Sequence, residues 1–200
     1  MKVLAINGSA RKDGNTAILV KEVFKELEAE GIQTELIQLS GKKIRGCAAC
    51  YKCIENKNQR CAVNDDVNPI IEKMAEADGI ILASPTYFAD VTSELKAVID
   101  RSGFVGRANG NMFKRKVGAA VVAVRRAGAI HVFDSINHFF LISEMIVPGS
   151  MYWNIGIGRN IGEPVNILIR VNGFEPGCLV VFSLLCIWWR CEPNIDSVIT

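Results

Sequence analysis

The chain has 200 residues, half of them hydrophobic, with 23 Lys and Arg against 21 Asp and Glu for a net charge of +2. That length favours one domain, or one domain with an appendage, around a sizeable core. The near balance of charge predicts neither a nucleic-acid footprint nor a membrane-surface protein. The opening Met1 to Gly8 is too short and too quickly broken for a signal peptide, and no run reaches the roughly 18 to 20 apolar residues of a spanning helix, so a cytoplasmic location is expected.

In chain order, strands alternate with helices. Lys2 to Asn7 is an apolar run ending at Gly8-Ser9, a buried strand and its turn. Ala17, Val20, Val23, Phe24 and Leu27 recur at helical spacing until Gly31. Thr34 to Leu39 alternates like a half-exposed strand near a sheet edge. An irregular, cysteine-bearing stretch follows at 40–64. Val67, Ile70, Ile71 and Met74 mark a second helix with Asp65 or Asp66 as its N-cap. Gly79 to Ser84 is a third strand. Val91, Leu95, Val98 and Ile99 line a third helix behind an Asp90 cap. Val117 to Val124 is apolar throughout, as a central parallel strand is. Phe133, Ile136, Phe140 and Leu141 give a fourth helix, and Met145 to Val147 begins a fifth strand. Repeated β-α units predict a parallel sheet with right-handed crossovers.

Three loops carry chemistry. Gly8-Ser9-Ala10-Arg11-Lys12-Asp13-Gly14-Asn15-Thr16 joins the first strand to the first helix. It is neither a Walker loop nor G-x-G-x-x-G. Its glycines free backbone N–H groups to turn to one point, and the helix N-terminus adds partial positive charge there. Ser9, Asn15 and Thr16 supply short polar side chains and Arg11 offsets a dianion, so the cup suits a terminal phosphate monoester. Ser84 to Asp90 leaves the third strand through Pro85, placing Thr86, Tyr87 and Phe88 at its carboxyl end, where open α/β sheets bind ligands. Val124-Arg125-Arg126-Ala127-Gly128 leaves the fourth strand; its small residues and arginines fit equally a solvated basic turn and, as in the families named below, a loop bordering a reduced anionic ring or a phosphorylated donor.

A fourth feature is a cysteine cluster. Seven cysteines in a chain without an export signal point away from disulfides. Cys47, Cys50, Cys53 and Cys61 give C-x2-C-x2-C-x7-C. Three cysteines at this spacing wrap one corner of a cubane and a fourth completes it, whereas a zinc site usually shows two separated pairs. Free or redox-active thiols are the other alternative. Lys52, Lys57 and Arg60 lie among the cysteines, where they would lower thiolate pKa values or offset the charge of a reduced cluster.

Gly8-Ser9-x-Arg11-x-x-Gly14-Asn15-Thr16 and Ser84-Pro85-Thr86-Tyr87-Phe88 resemble the phosphate loop and second flavin loop of the NADPH-dependent FMN reductase and iron–sulfur flavoprotein families, over roughly residues 1–162. The resemblance implies a flavodoxin-like, doubly wound five-stranded parallel sheet in the order 2-1-3-4-5, with FMN at the strands' carboxyl ends. It implies cofactor contacts from Ser9, Arg11, Asn15, Thr16, Pro85, Thr86, Tyr87, Phe88, Arg125 and Gly128. It also implies a 4Fe–4S cluster on Cys47, Cys50, Cys53 and Cys61, and a homodimer or homotetramer that brings one subunit's cluster near another's flavin. The function expected is an oxidoreductase passing electrons from ferredoxin or NAD(P)H, through FMN and the cluster, to quinones, oxygen species or other flavins. Alternatives are a cluster-free NAD(P)H-dependent FMN or quinone reductase and a non-enzymatic flavin- or metal-binding regulator. Residues 1–162 form the expected FMN-binding domain with a cysteine-rich insert at 40–64. The atypical tail at 163–200 departs from the amphipathic closing helix of the families it resembles, as an altered reading frame or a strand-rich oligomer contact would.

Overall fold

A computed structural model describes residues 1–149 and 153–164; nearly all of the atypical tail, from 165 on, lies outside the described residues. The elements in order are β1 (Lys2–Asn7), α1 (Asn15–Ala29), β2 (Gln33–Gln38), α2 (Lys52–Asn56), α3 (Val67–Glu76), β3 (Gly79–Pro85), α4 (Ser93–Ala108), β4 (Val117–Val124), α5 (Ala129–Ile142) and β5 (Ile155–Ile157).

The five strands are all parallel in the order β2-β1-β3-β4-β5, as expected for a flavodoxin-like sheet. Strand side chains alternate between faces, and that period divides the core in two. Val3, Ala5, Ile81, Ala83, Val121 and Ala123 pack against α1 through Leu19, Val20, Val23 and Leu27. Leu4, Ile6, Ile80, Leu82, Ala120 and Val122 face the opposite layer, where α3, α4 and α5 contribute Ile70, Ile71, Leu95, Val98, Ile136 and Phe140. The central strands are buried on both faces, which is why their sequences are continuously apolar. β2 is an edge strand and mostly half-buried, with Ile37 packed into one layer and Leu36 against the other.

Five details depart from the sequence-based expectations. The fifth strand is Ile155–Ile157, not Met145 to Val147; of the latter, Ile146 makes only an isolated parallel bridge to Val117. The short apolar run at 145–147 met the strand pattern, but β4 finds its hydrogen-bonded neighbour ten residues later, with Val122 paired to Ile155. The cap of α4 is Thr92, whose side chain accepts from the Leu95 N–H at 3.4 Å, whereas Asp90 forms a two-residue bridge with Tyr87. Asp66 occupies the N-cap position of α3 without a side-chain capping bond, and Asp65 accepts from the Val67 N–H at 3.1 Å instead. The insert at 40–64 is not wholly irregular, since α2 lies inside it. In α5, Leu141 is exposed while Val132, Ile136, Phe139 and Phe140 form the buried face.

No helix among the described residues is long and apolar enough to cross a membrane. One close contact makes the β4–α5 packing testable. A Cβ on Gly118 would lie 2.6 Å from the Phe140 ring. Gly118→Ala is therefore expected to cost about 1–3 kcal/mol by overpacking, measured by urea denaturation, and Phe140→Leu in the same chain should recover part of the loss.

Candidate functional site

α1 follows β1 onto one face of the sheet and α4 follows β3 onto the other. The chain therefore diverges at the carboxyl ends of β1 and β3, which is where doubly wound sheets open a crevice. A cleft of about 410 Å³ lies there. It is lined by Ser9, Arg11, Asn15 and Thr16 from the first loop, by Pro85, Thr86 and Tyr87 from the second, and by Arg125 beyond β4.

The first loop is held from beneath. Asn7 is fully buried; its Oδ1 accepts from the Ser9 N–H at 3.0 Å and its Nδ2 donates to Gln38 Oε1 at 2.8 Å. Ser9 Oγ accepts from the Arg11 N–H at 3.1 Å. Gly8 has no room for a side chain, because a Cβ would sit 2.6 Å from Thr92 Oγ1 and 2.9 Å from Leu95 Cβ. Helix α1 starts at Gly14 with no side-chain capping bond, so its first N–H groups, at the cleft-lining residues Asn15 and Thr16, are satisfied by no side chain among the described residues. Arg11 is exposed at the rim. Thr86 Oγ1 is buried and has no hydrogen-bond partner among the described residues, an orphaned polar atom in the cleft wall.

The expected residues do not all converge in the same way. Asn15 lines the cleft, but its Nδ2 donates to the Asn160 carbonyl at 3.0 Å and its Oδ1 accepts from the Gly162 N–H at 2.9 Å. It clamps the first loop to the turn after β5. The Thr86 N–H is used by the Ala123 carbonyl and the Tyr87 N–H by Asp90, so neither is free for a ligand. Phe88, in a left-handed conformation, is fully exposed at the loop tip and does not line the cleft. Gly128, with φ +89°, does not line it either; a Cβ there would touch Ala89 and Thr86 at 3.4 Å, so the third loop packs on the second. Gly158 and Arg159 complete the cleft wall and were missed in the sequence. The strand-like Ile155-Gly156-Ile157 before them was the available signal.

Cys47, Cys50, Cys53 and Cys61 line a second, smaller pocket with Arg101 and Phe104 from α4. The two pockets share no lining residue. Ala49, Tyr51, Lys57 and Gln59 take left-handed conformations that side chains disfavour, and such strain persists only where surroundings fix it. The backbone N–H groups of Cys47 to Tyr51 donate to no described residue. Alternating turn conformations with free N–H groups make the concavities in which anions and iron–sulfur clusters sit. Among the described residues no three Cys, His, Asp or Glu side chains converge on one point as a single ion requires. A cubane differs, because its four ligands hold four separate corners and need not meet; the shared pocket and free amides fit it better than zinc.

Arg101, buried to 1 % exposure, fixes this region. Its guanidinium donates to Asp65 Oδ2 at 2.7 Å, to the carbonyls of Arg45 and Val63 at 3.0 Å each, and through Nε to Cys61 Sγ at 3.3 Å. Asn68 adds bonds to both the N–H and the carbonyl of Cys61. Burial works to raise the Asp65 carboxyl, but hydrogen bonds from Arg101 and from the Val67 and Arg45 N–H groups outweigh it and hold the group below the ordinary aspartate range. For Arg101 burial disfavours the cation, and Asp65 and Cys61 reverse that. The cations near the cysteines in sequence do not act as expected. Arg60 pairs with Glu72, and burial pushes the Cys53 thiol up, against bonds from its own and the Ile54 N–H.

A flavodoxin-like sheet with an uncapped helix N-terminus and an orphaned hydroxyl at its switch point defines an α/β protein with a ligand crevice at its strand ends. The profile of the family described as NADPH-dependent FMN reductase matches residues 1–160, and the chain belongs to that family. An iron–sulfur flavoprotein of Methanocaldococcus jannaschii is 42% identical over 173 residues, 83% of this chain and 88% of the relative. An iron–sulfur flavoprotein of Methanosarcina thermophila is 36% identical over 165 residues, 82% and 85% of the two chains. Among solved structures, RosB with bound 8-demethyl-8-formylriboflavin-5'-phosphate is similar with TM-score 0.72 at 19% identity, covering 96% of this chain and 81% of that one. A flavodoxin from the domain Archaea is similar with TM-score 0.57 at 14% identity, covering 92% and 99%. The protein is thus a flavoprotein oxidoreductase.

The Asp65–Arg101 pair yields a pH prediction. A carboxyl lowered in the folded state stabilises the fold fully above its unfolded pKa of about 3.9, and that stability is lost as pH falls through the lower folded value. Asp65→Asn leaves a buried cation unpaired and is expected to cost about 3–5 kcal/mol at neutral pH. Denaturation across acid pH should show the gap between the two proteins closing as pH drops.

Proposed function

We propose that the chain transfers electrons between a reduced donor, NAD(P)H or ferredoxin, and a quinone, an oxygen species or another flavin, using FMN in the strand-end cleft and a 4Fe–4S cluster on Cys47, Cys50, Cys53 and Cys61. The observation that carries the cofactor assignment is the uncapped start of α1 beside Arg11 and the orphaned Thr86 hydroxyl in one cleft. When bound, FMN supplies hydride acceptance and one-electron transfer, and the cluster supplies one-electron transfer alone.

The residues divide the work by their chemistry. The first N–H groups of α1, with Ser9, Thr16 and Arg11, hold the phosphate. Asn15 supports them by fixing the first loop to Asn160 and Gly162. Pro85, Thr86 and Tyr87 border the ring, and the Thr86 hydroxyl gains the partner it lacks among the described residues. Phe88 and Gly128 act from outside the cleft, Gly128 by seating the third loop against the second. Arg125 and Arg159 place positive charge beside the ring site, suited to a reduced anionic ring or a phosphorylated donor. Because the pockets share no lining residue, electron exchange is assigned to a homodimer or homotetramer that sets one subunit's cysteine loop near another's cleft.

A cluster-free NAD(P)H-dependent FMN or quinone reductase is the second reading, favoured by the match of residues 1–160 to the family described as NADPH-dependent FMN reductase. Family membership as an oxidoreductase leaves the non-enzymatic regulator without support. Iron and sulfide analysis with an absorption spectrum after anaerobic purification separates the two enzymatic readings. Flavin bands with about four irons per chain are expected; flavin without iron would establish the reductase instead. Cys50→Ser should lose iron and keep flavin. Arg11→Ala should lower the preference for FMN over riboflavin by about tenfold, the worth of one hydrogen bond to a charged group, measured by fluorescence quenching. An unchanged preference would place the phosphate elsewhere.

A further inference from the structure

We propose that Arg101 is a positioning residue that sets the reduction potential of the cluster through its hydrogen bond to Cys61. The inference rests on the assignment of the four cysteines as cluster ligands. Arg101 lies 40 residues beyond Cys61 in the chain, in the middle of α4, with its side chain inaccessible to water. Three of its bonds, to Asp65 and to the carbonyls of Arg45 and Val63, suffice to anchor the loop. The fourth, Nε to Cys61 Sγ at 3.3 Å, adds little to anchoring, because a neutral thiol is a weak acceptor.

A metal-bound thiolate is a charged acceptor, and there the same donor matters. Asp65 neutralises the guanidinium on another arm and so removes the cost of burying the cation, while Nε–H stays directed at sulfur. Arginine cannot give up its proton in a protein, so this donor is permanent. Uptake of one electron from a reductant adds one negative charge to the cluster without a proton or leaving group. A buried donor on a ligand sulfur stabilises that added charge and raises the potential. Lys52 and Lys57 are exposed, and water and salt weaken any such effect from them.

The test uses the full chain, anaerobically reconstituted with FMN, iron and sulfide, and titrated with dithionite while the reduced cluster is followed by electron paramagnetic resonance. Arg101→Lys keeps the charge but not the planar fork of donors. At the potential that half-reduces the parent cluster, its reduced-to-oxidised ratio is expected to be about tenfold lower, a downward shift of about 59 mV for a one-electron couple, with the flavin midpoint unmoved. An unchanged cluster potential at equal iron content overturns the inference. A second measurement does not depend on the variant folding. In unsubstituted protein labelled with heavy-nitrogen arginine, the reduced cluster's electron spin should couple to one guanidinium nitrogen, and absence of that coupling also overturns the inference. A parent chain that takes up no iron removes the cluster assignment and the inference with it; iron without shift or coupling removes the inference alone.

Discussion

Parallel strands cannot be joined by tight turns, so the carboxyl ends of all five strands here open onto one edge of the sheet. Crossover helices then divide between the two faces. Between β1 and β3 the crossovers part, α1 to one face and α4 to the other, and the edge opens into the cleft. The rest of the site follows from that parting. Gly8 must be a glycine because the first loop passes against Thr92 and Leu95 at the start of α4. Asn7 and Gln38 brace that loop because β1 and β2 are paired in register, with Asn7 opposite Gln38. The cup proposed to take the phosphate is thus shaped by backbone and by the amides of Asn7 and Gln38 rather than by a row of surface cations.

The cysteine segment is built on the opposite principle. It has little regular structure, several residues in disfavoured conformations, and two exposed cysteines. A loop of this kind needs external anchors, and they are polar side chains of α3, α4 and the segment before α3. Asp65 binds Arg101 and the Arg45 N–H, Asp66 binds the Lys43 N–H, and Asn68 holds Cys61 on both sides. Arg101 therefore couples the loop to α4, the longest helix among the described residues. A buried ion pair is weak as a source of net stability but strong as a source of fixed geometry, because breaking either partner strands a charge.

The two pockets differ in what they ask of solvent. The strand-end cleft is open and mixed in character, suited to a ligand that enters, reacts and exchanges with a second substrate. The cysteine pocket is small, with Phe104, Val105 and Val63 among its walls, suited to a resident group whose charge is tuned by few, desolvated contacts. Membership of the FMN reductase family accounts for the first pocket; the iron–sulfur flavoproteins of methanogens that this chain is similar to carry in their name what the second suggests.

Local sequence was enough for much of this. Apolar runs identified β1, β3 and β4, helical spacing identified α1, α3, α4 and α5, and the Gly8–Thr16 segment was legible as the loop between a strand and a helix, because each of these signals is a property of neighbouring residues. What tertiary structure alone decided lies in long-range contacts. Whether 145–147 or 155–157 would pair with β4 depended on which segment could reach its edge in register. That Asn15 would turn to Asn160 and Gly162, that Arg159 would enter the cleft, and that Arg101 rather than Arg60 would meet Cys61 each joins residues 40 or more positions apart. Periodicity and motif spacing carry no information over such distances, since a side chain's partner there is chosen by how layers pack and not by what adjoins it in the chain.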